Sequence, residues 1–197
     1  MTPEREATLM SVLNKRQGDL TVVLENVFDP HNISAVMRTC DAVGIQDIHI
    51  LTTKIPVHKR WGVKSSSGAF KWLTIYQHTD AVECFAELRK TYDTILTTHL
   101  SGDARDLYSI DFTGKIALVF GNEHSGVSDE IRDMADGNFI IPQVGIIQSL
   151  NISVAAAVCL YEAQRQKKLA GHYDSRKLDD VKSKALLREW KFYGELK

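Results

Sequence analysis

The chain is poor in the residues that build disulfide or metal frameworks. Its 197 residues include three cysteines, Cys40, Cys84 and Cys159, which lie far apart in the sequence. An odd number of widely spaced cysteines argues against a disulfide framework. No Cys-x-x-Cys pair and no His-Glu-x-x-His sequence occurs. We therefore expect neither a structural nor a catalytic metal ion.

Glycine motifs for nucleotides and long apolar runs are also missing. Neither Gly-x-Gly-x-x-Gly nor Gly-Lys followed by Ser or Thr occurs, which disfavours a Rossmann dinucleotide-binding protein and a P-loop nucleotidase. No segment approaches the run of roughly 18 apolar residues that crosses a membrane. The amino-terminal segment has charges on both sides of its few apolar residues. We therefore expect no signal peptide, and a cytoplasmic protein.

The tripeptide Asn-Ile-Ser occurs twice, at residues 32–34 and 151–153, each time at the start of an apolar run with helical spacing. Asn-x-Ser is a glycosylation acceptor only in a secreted chain. In a cytoplasmic protein this explanation fails, and the repeated triplet needs another one.

The net charge of −1 hides an uneven distribution of charge along the chain. Residues 54–71 contain five Lys and Arg and no acid, and residues 163–197 contain ten Lys and Arg against five acids. Two basic segments on an acidic body are typical of a protein that binds a polyanion, because Lys and Arg neutralise phosphates. Two solvated basic surfaces are the alternative, and charge alone does not decide between them.

Hydrophobic patterns predict helices that alternate with strands. Helices are predicted at residues 2–17, 29–45, 80–91, 128–136, 150–171 and 178–196, and strands at residues 20–27, 47–51, 72–76, 93–100, 115–121 and 138–142. Asp29 and Pro30 suit the start of the second helix and Gly44 suits its end. This order predicts an α/β fold with a largely parallel sheet, and the apolar run "IALVF" predicts a strand buried on both faces.

Two segments follow predicted strands and are candidates for a ligand site. Ligands of open parallel sheets bind at the carboxyl ends of the strands, which here point to residues 119–128 and 140–153. Glu123, between two glycines, is placed either to contact a ligand or to be an exposed loop carboxylate. Ser149 is placed either at the site or as the cap of the long helix.

Arg38 stands out because it lies in an otherwise apolar helical run, "ISAVMRTCDAV". A cation in such a position needs a partner or a ligand. A structural ion pair with Asp29 or Asp41 is one explanation, and a bound anionic ligand is the other.

Three segments together resemble the motifs of the SpoU–TrmD (SPOUT) RNA methyltransferases in residues, order and spacing. They are "NISAVMRT" at 32–39, "LVFGNEHSG" at 118–126 and "IIPQVGIIQSLNISVAAA" at 140–157. The similarity extends from about residue 4 to residue 190 and is greatest to members that methylate the ribose 2′-hydroxyl of guanosine 18 in the tRNA D-loop. It implies that both asparagines of the repeated triplet face one active site.

The resemblance also implies an architecture and partners. The expected fold is a parallel α/β sheet with a deep carboxyl-terminal trefoil knot, in a homodimer whose active sites lie at the subunit interface. The expected divisions are a tRNA-binding helix at 1–19, the methyltransferase domain at 20–170 and a helical extension at 171–197. S-adenosylmethionine is the expected cofactor, tRNA the expected substrate, and no metal is required because the cofactor carries the activated methyl group.

Site residues follow from the same resemblance. The residues expected to act in catalysis are Arg38, Asn32, Glu123, Ser149 and Asn151. The residues expected to line the cofactor pocket are Thr98, Leu100, Gly121, Ile141, Ile146 and Leu150. The residues expected to contact tRNA are Lys15, Arg16, Arg165, Lys167, Lys168, Arg176 and Lys177. Because a guanidinium stays protonated, we expect Arg38 to hold a substrate phosphate and stabilise the developing alkoxide rather than to act as a simple base.

Two other functions remain open at this stage. The same chemistry on a different RNA, such as rRNA, is one, and the absence of a separate amino-terminal RNA-binding domain counts against it. A non-catalytic RNA-binding protein with the same fold is the other, and it predicts a lost catalytic set. Arg38, Glu123, Ser149 and Asn151 are all present.

Overall fold

The computed structural model describes residues 2–58, 68–101, 104–147 and 149–195. The helices are α1 (Pro3–Leu13), α2 (Pro30–Val43), α3 (Ala81–Leu88), α4 (Asp129–Met134), α5 (Ile152–Leu169) and α6 (Asp180–Glu195). The strands are β1 (Leu20–Glu25), β2 (Asp47–Leu51), β3 (Thr74–His78), β4 (Thr94–Thr98), β5 (Arg105–Asp106), β6 (Ile116–Phe120) and β7 (Gly137–Ile140). Half of the basic stretch 54–71 lies outside the described residues.

The seven strands form one parallel sheet in the order β3-β2-β1-β6-β4-β7-β5. This confirms the predicted parallel α/β architecture. The short strand β5 was not predicted, because two residues are too few to produce a periodic pattern. The third predicted strand is shifted by two residues, from 72–76 to Thr74–His78.

Alternate residues of the central strands bury their side chains on opposite faces of the sheet. Val22 and Leu118 pack with α2 and α5, whereas Val23 and Val119 pack with α3 and α4. All five residues of β6 are buried, as predicted for a strand covered by helices on both sides. Within the described residues, no helix has the length and apolar character needed to cross a membrane.

Helix α2 begins and ends where the sequence predicts. The Asp29 carboxylate accepts a hydrogen bond from the His31 N–H at 2.8 Å, Pro30 is the first helical residue, and Gly44 ends the helix with a φ of 85°. A left-handed residue at this position favours glycine. The amino-terminal cap of helix α5 is Asn151. The alternative in which Ser149 caps this helix is therefore wrong.

The helices at the two ends of the chain pack against each other. Leu9 and Leu13 of α1 join Leu186 and Trp190 of α6 in a separate apolar cluster, which Leu178 completes. Helix α1 ends at Leu13 rather than at residue 17. The terminal segments are therefore joined to one another by an apolar contact of their own.

Two predicted tRNA-binding cations are buried. The Arg16 side chain is inaccessible, forms an ion pair with Asp41 at 2.5 Å and stacks over the Trp190 ring at 5.1 Å. The Lys167 side chain is also inaccessible and forms an ion pair with Asp19 at 2.8 Å. Neither side chain can reach a phosphate from these positions, so the prediction that Arg16 and Lys167 contact tRNA is corrected.

The ion pair between Asp19 and Lys167 ties the segment before β1 to the last turn of α5. Replacing Asp19 with Asn leaves a buried ammonium without its counter-charge. We expect the free energy of unfolding to fall by about 3 kcal/mol, because removing one partner of a buried pair leaves the other uncompensated. Urea denaturation measures this change. The exposed Asp133→Asn is the control and is expected to change stability by less than about 0.5 kcal/mol. Equal stability of both variants would contradict the prediction.

Candidate active site

A cleft opens where β4, β6 and β7 end, at the carboxyl edge of the sheet. Its volume is about 530 Å³, within the range of small-molecule sites. The last residues of these strands, Thr98, Phe120 and Ile140, contribute to its wall together with the loops that follow them. The sequence predicted a ligand site at the ends of β6 and β7, and the structure places a cleft there.

Five of the six residues predicted for the cofactor pocket line this cleft: Thr98, Leu100, Gly121, Ile141 and Leu150. Ile146 is not among the lining residues, and 98% of its surface is exposed in the single chain. Ser149, Asn151 and Glu123 from the predicted catalytic set also line the cleft.

Gly121 begins a tight loop that only glycine permits. A Cβ at this residue would lie 2.1 Å from the carbonyl carbon of Gly126. The loop is closed by two backbone hydrogen bonds between Asn122 and Gly126, at 3.0 and 2.8 Å, and Gly126 has a φ of 69°. The two glycines of the motif are therefore required by the loop itself, which presents Glu123 at its outer end.

The two asparagines of the repeated triplet meet in the structure. Asn151 Nδ2 donates to Asn32 Oδ1 at 3.1 Å, and Asn32 Nδ2 donates to Glu123 Oε1 at 2.8 Å. The other oxygen of Glu123 accepts from the Phe28 N–H at 3.2 Å. Glu123 is exposed, yet it is held by two hydrogen bonds and is not a free loop carboxylate. This chain of hydrogen bonds links segments that are up to 119 residues apart.

The orientation of each amide in this chain is fixed by its neighbours. An ionised carboxylate only accepts hydrogen bonds, so Asn32 must present its amide nitrogen to Glu123 and its oxygen to Asn151. Asn151 then keeps its own oxygen for the Ser153 N–H and hydroxyl, at 2.9 and 2.6 Å. The residue that caps α5 is thus also the residue that contacts α2.

Arg38 is exposed on α2 and makes no hydrogen bond or ion pair with any residue that the structure describes. Both acids considered as its partners are engaged elsewhere: Asp29 caps α2, and Asp41 pairs with Arg16. The structural ion pair is therefore not formed, and the guanidinium is free for a ligand. Arg38 is also not among the residues that line the cleft of its own chain.

Asn26 organises the loops beside the site, and sequence reasoning missed it. It follows β1 with a φ of 49°, which is uncommon for a residue other than glycine. Its side-chain oxygen accepts from the N–H groups of Thr53 and Lys54, both at 2.9 Å, and its carbonyl accepts from Asn122 Nδ2 at 2.7 Å. The predicted strand at 20–27 includes Asn26, so the sequence pattern gave no signal of this role.

Glu25, the last residue of β1, supports the same loops. Its side chain is buried and accepts from the Ser128 N–H at 3.0 Å, at the start of α4. The sequence places Glu25 within a predicted strand. Its hydrogen-bond donor, the Ser128 N–H, is about one hundred residues later in the chain, and no local sequence pattern indicates this contact.

The remaining basic candidates are exposed but differ in their partners. Arg165 forms a bidentate pair with Glu162, both contacts at 2.8 Å, and Arg176 pairs with Asp180. Lys15, Lys168 and Lys177 have no acidic partner within the part of the chain that the structure describes. Among the predicted tRNA-binding residues, these three lysines are the most available to a polyanion.

Sequence comparisons place the chain among RNA methyltransferases. The model of the SpoU rRNA Methylase family matches residues 19–161. A tRNA (guanosine(18)-2′-O)-methyltransferase from Thermus thermophilus is 44% identical over 191 residues, 96% of this chain and 96% of that protein. The Escherichia coli protein of the same name is 39% identical over 96% of this chain and 82% of its own length.

Structural comparisons agree. The crystal structure of the A. aeolicus TrmH/SpoU tRNA modifying enzyme matches with a TM-score of 0.89 and 36% identity, covering 98% of each chain. The SpoU methyltransferase AviRb from Streptomyces viridochromogenes, solved in complex with AdoMet, matches with a TM-score of 0.68 and 29% identity over 79% of this chain and 62% of that one. The matched segment spans the cleft and the three motifs that build it, and the chain belongs to the SpoU rRNA Methylase family.

Proposed function

We propose that the protein is a tRNA (guanosine-18-2′-O)-methyltransferase that transfers a methyl group from S-adenosylmethionine to a ribose 2′-hydroxyl. The observation that carries this proposal is the meeting of three sequence motifs at one cleft through Asn32, Glu123 and Asn151. Relatives that are 37–44% identical over nearly the whole chain are named tRNA (guanosine(18)-2′-O)-methyltransferase. A non-catalytic protein predicts the loss of this set, yet Arg38, Glu123, Ser149 and Asn151 are all present.

The cleft residues fit S-adenosylmethionine. The wall combines apolar side chains such as Leu100, Ile141 and Leu150 with backbone groups of the Gly121 loop, which suits an adenine ring that needs apolar surface and a few hydrogen bonds. When bound, the cofactor supplies an activated methyl group, so the protein has to provide only binding and orientation. Ile146 is exposed outside the cleft and is no longer part of this proposal.

Arg38 and the hydrogen-bonded residues Asn32, Glu123 and Asn151 bind and orient the RNA substrate. A guanidinium is always charged and matches the geometry of a phosphate, so Arg38 holds a phosphate of the substrate and stabilises negative charge at the attacking oxygen. The ribose hydroxyl gives up its proton to a substrate phosphate oxygen. Asn32, Glu123, Ser149 and Asn151 orient the ribose so that the oxygen approaches in line with the bond that breaks.

We also propose the deep trefoil knot expected for this fold. In its favour, β7 pairs with β4 rather than with β6, which precedes it in the chain, and the segment after β7 leads to α5, which packs on α2. Residues 1–19 and 171–197 are proposed as tRNA-contacting extensions of the methyltransferase domain at 20–170, in a cytoplasmic enzyme.

A homodimer with shared active sites is part of the same proposal. The loop before α5 and the outer face of that helix expose large apolar side chains, which are Val144, Ile146, Ile147, Val154 and Tyr161. Several exposed large apolar side chains within one segment are typical of a subunit interface. Arg38 lies outside the cleft of its own chain, which favours action on the cofactor bound by the partner.

Methyl transfer should depend on the 2′-hydroxyl of a single nucleotide. With labelled S-adenosylmethionine and a chelator, we expect transfer to a tRNA transcript that contains guanosine 18. A transcript with 2′-deoxyguanosine at that position should accept no label, because it lacks the attacking oxygen. Equal labelling of both transcripts would overturn the assignment of the nucleotide, and a strict requirement for a divalent metal would overturn the proposed chemistry.

The unpaired lysines should contribute to tRNA affinity by neutralising phosphates. Replacing Lys15, Lys168 and Lys177 with Gln should weaken binding and make the salt dependence less steep, by about 0.7 to 0.9 in log K per log salt for each phosphate that is no longer neutralised. Affinity for S-adenosylmethionine should not change. Lys90→Gln, two residues after the end of α3 and outside the segments proposed to contact tRNA, is the control. An unchanged slope in the triple variant would mean that these lysines form only a solvated surface.

Mixed dimers test whether Arg38 acts across the interface. Arg38→Ala should abolish methyl transfer while retaining cofactor binding, and Leu150→Trp, at an exposed position of the cleft, should block the cofactor. Each variant alone should be inactive. If Arg38 serves the partner's cleft, each mixed dimer has one intact site. Random pairing makes about half of the dimers mixed, so about a quarter of all sites should work.

The opposite arrangement predicts a different result. If Arg38 serves its own chain, each site of a mixed dimer carries one lesion, and activity stays at background. Background activity with mixed dimers confirmed by mass would exclude action across the interface, and the assignment as a methyltransferase would stand.

A further inference from the structure

A second group of chemically reactive side chains lies on the outer part of the sheet, away from the cleft. His49 is in β2, His78 is the last residue of β3, and Cys84 is in the first turns of α3. Because His49 pairs with Tyr76 and Leu51 with His78, the two histidines are diagonal neighbours on one face of the sheet. Helix α3 covers that face and brings Cys84 to them.

The three side chains converge closely. His49 Nδ1 and His78 Nε2 are 2.9 Å apart, and the planes of the two rings differ by 13°. The Cys84 sulfur and the two nitrogens all lie within 4.8 Å of one another. Within the described residues, no other group of three such side chains is close enough to share an ion. His49 and Cys84 are buried, and His78 is half-buried.

We propose that His49, His78 and Cys84 bind a transition-metal ion of the zinc class. Two imidazole nitrogens and one thiolate are a donor set that zinc prefers, with three protein ligands and a fourth position left for another group. In a tetrahedral zinc site the two nitrogens would stand about 3.3 Å apart. To share one ion, both rings would turn so that their nitrogen lone pairs point at a common centre, and the sulfur would shift by about 1 Å.

Burial favours the neutral form of all three side chains, which suits the imidazoles as ligands but opposes the thiolate that a metal ion binds. Burial lowers the pKa of His49 to about 4, and it also lowers the pKa of His78, so both rings are neutral near pH 7, the form that binds metals. Burial raises the pKa of the Cys84 thiol to about 12. The thiol is therefore protonated before the ion arrives, and the metal–sulfur bond forms as the thiol proton leaves to water.

A cleft opens beside His49. It has a volume of about 480 Å³, and His49, Tyr76 and Glu87 contribute to its wall. Glu87 is exposed on α3, one turn after Cys84, and forms an ion pair with Lys90 at 2.5 Å. A water from the cleft can occupy the fourth position. The bound ion would fasten α3 and the edge strand β3 to β2.

Cobalt is the probe for this site, because a cobalt–thiolate bond has a charge-transfer absorption in the near ultraviolet. We expect the purified full-length protein to take up one Co²⁺ per chain, with that absorption and the visible bands of tetrahedral cobalt. Cys84→Ala should lose the charge-transfer absorption, and His78→Asn should bind Co²⁺ weakly. Cys159→Ala, which removes a different buried thiol, is the matched control and should retain the full spectrum.

Zinc should also raise the thermal unfolding temperature of the unaltered protein and of Cys159→Ala, but not that of Cys84→Ala. Circular dichroism of each variant establishes that it is folded before metal is added. If folded protein binds no Co²⁺, or if Cys84→Ala gives the same spectrum as the unaltered chain, the cluster is only a hydrogen-bonded histidine pair beside a core thiol. Neither result bears on the methyltransferase proposal, because this site is separate from the cleft.

Discussion

The hydrogen-bonded chain from Asn151 through Asn32 to Glu123 is the constraint on which the arrangement of the cleft depends. It joins the cap of α5 to the first turn of α2, and both to the loop that follows β6. Each member forms a hydrogen bond to the next, so the loss of one would remove a contact that holds its neighbours in position. The three segments are therefore positioned as a unit, and the packing of α2 on α5 makes that unit rigid.

Charged side chains have different roles at the two edges of the sheet. At the amino edge, Asp19 and Asp41 neutralise the buried cations Lys167 and Arg16, which join the terminal segments to the core. A buried cation needs this pairing because desolvation is costly. Near the carboxyl edge, Arg38 is exposed and remains solvated, so it is stable without a partner. The same residue types thus hold the fold together in one place and stay available to phosphate in another.

The proposed metal site and the proposed active site use different parts of one sheet. The cleft lies at β4, β6 and β7, whereas the histidine and cysteine cluster lies at β2, β3 and α3. The absence of short cysteine and histidine motifs predicted a protein without metal. That reasoning considers only ligands close in sequence, and the cluster joins residues from two strands and a helix. The proposed methyl transfer needs no metal, whether or not the cluster binds an ion.

The sequence by itself determined the parallel α/β class, the caps of α2 and eight of the residues that line the cleft, because periodicity, capping and the motifs are local properties. Only the tertiary structure decided which basic residues stay exposed. Lys167 and Lys168 are adjacent in sequence, yet helical geometry turns one toward Asp19 and the other toward solvent. It also decided that Asn32 and Asn151 meet, since a hydrogen bond across 119 residues depends on the packing of two helices and leaves no local pattern in the chain.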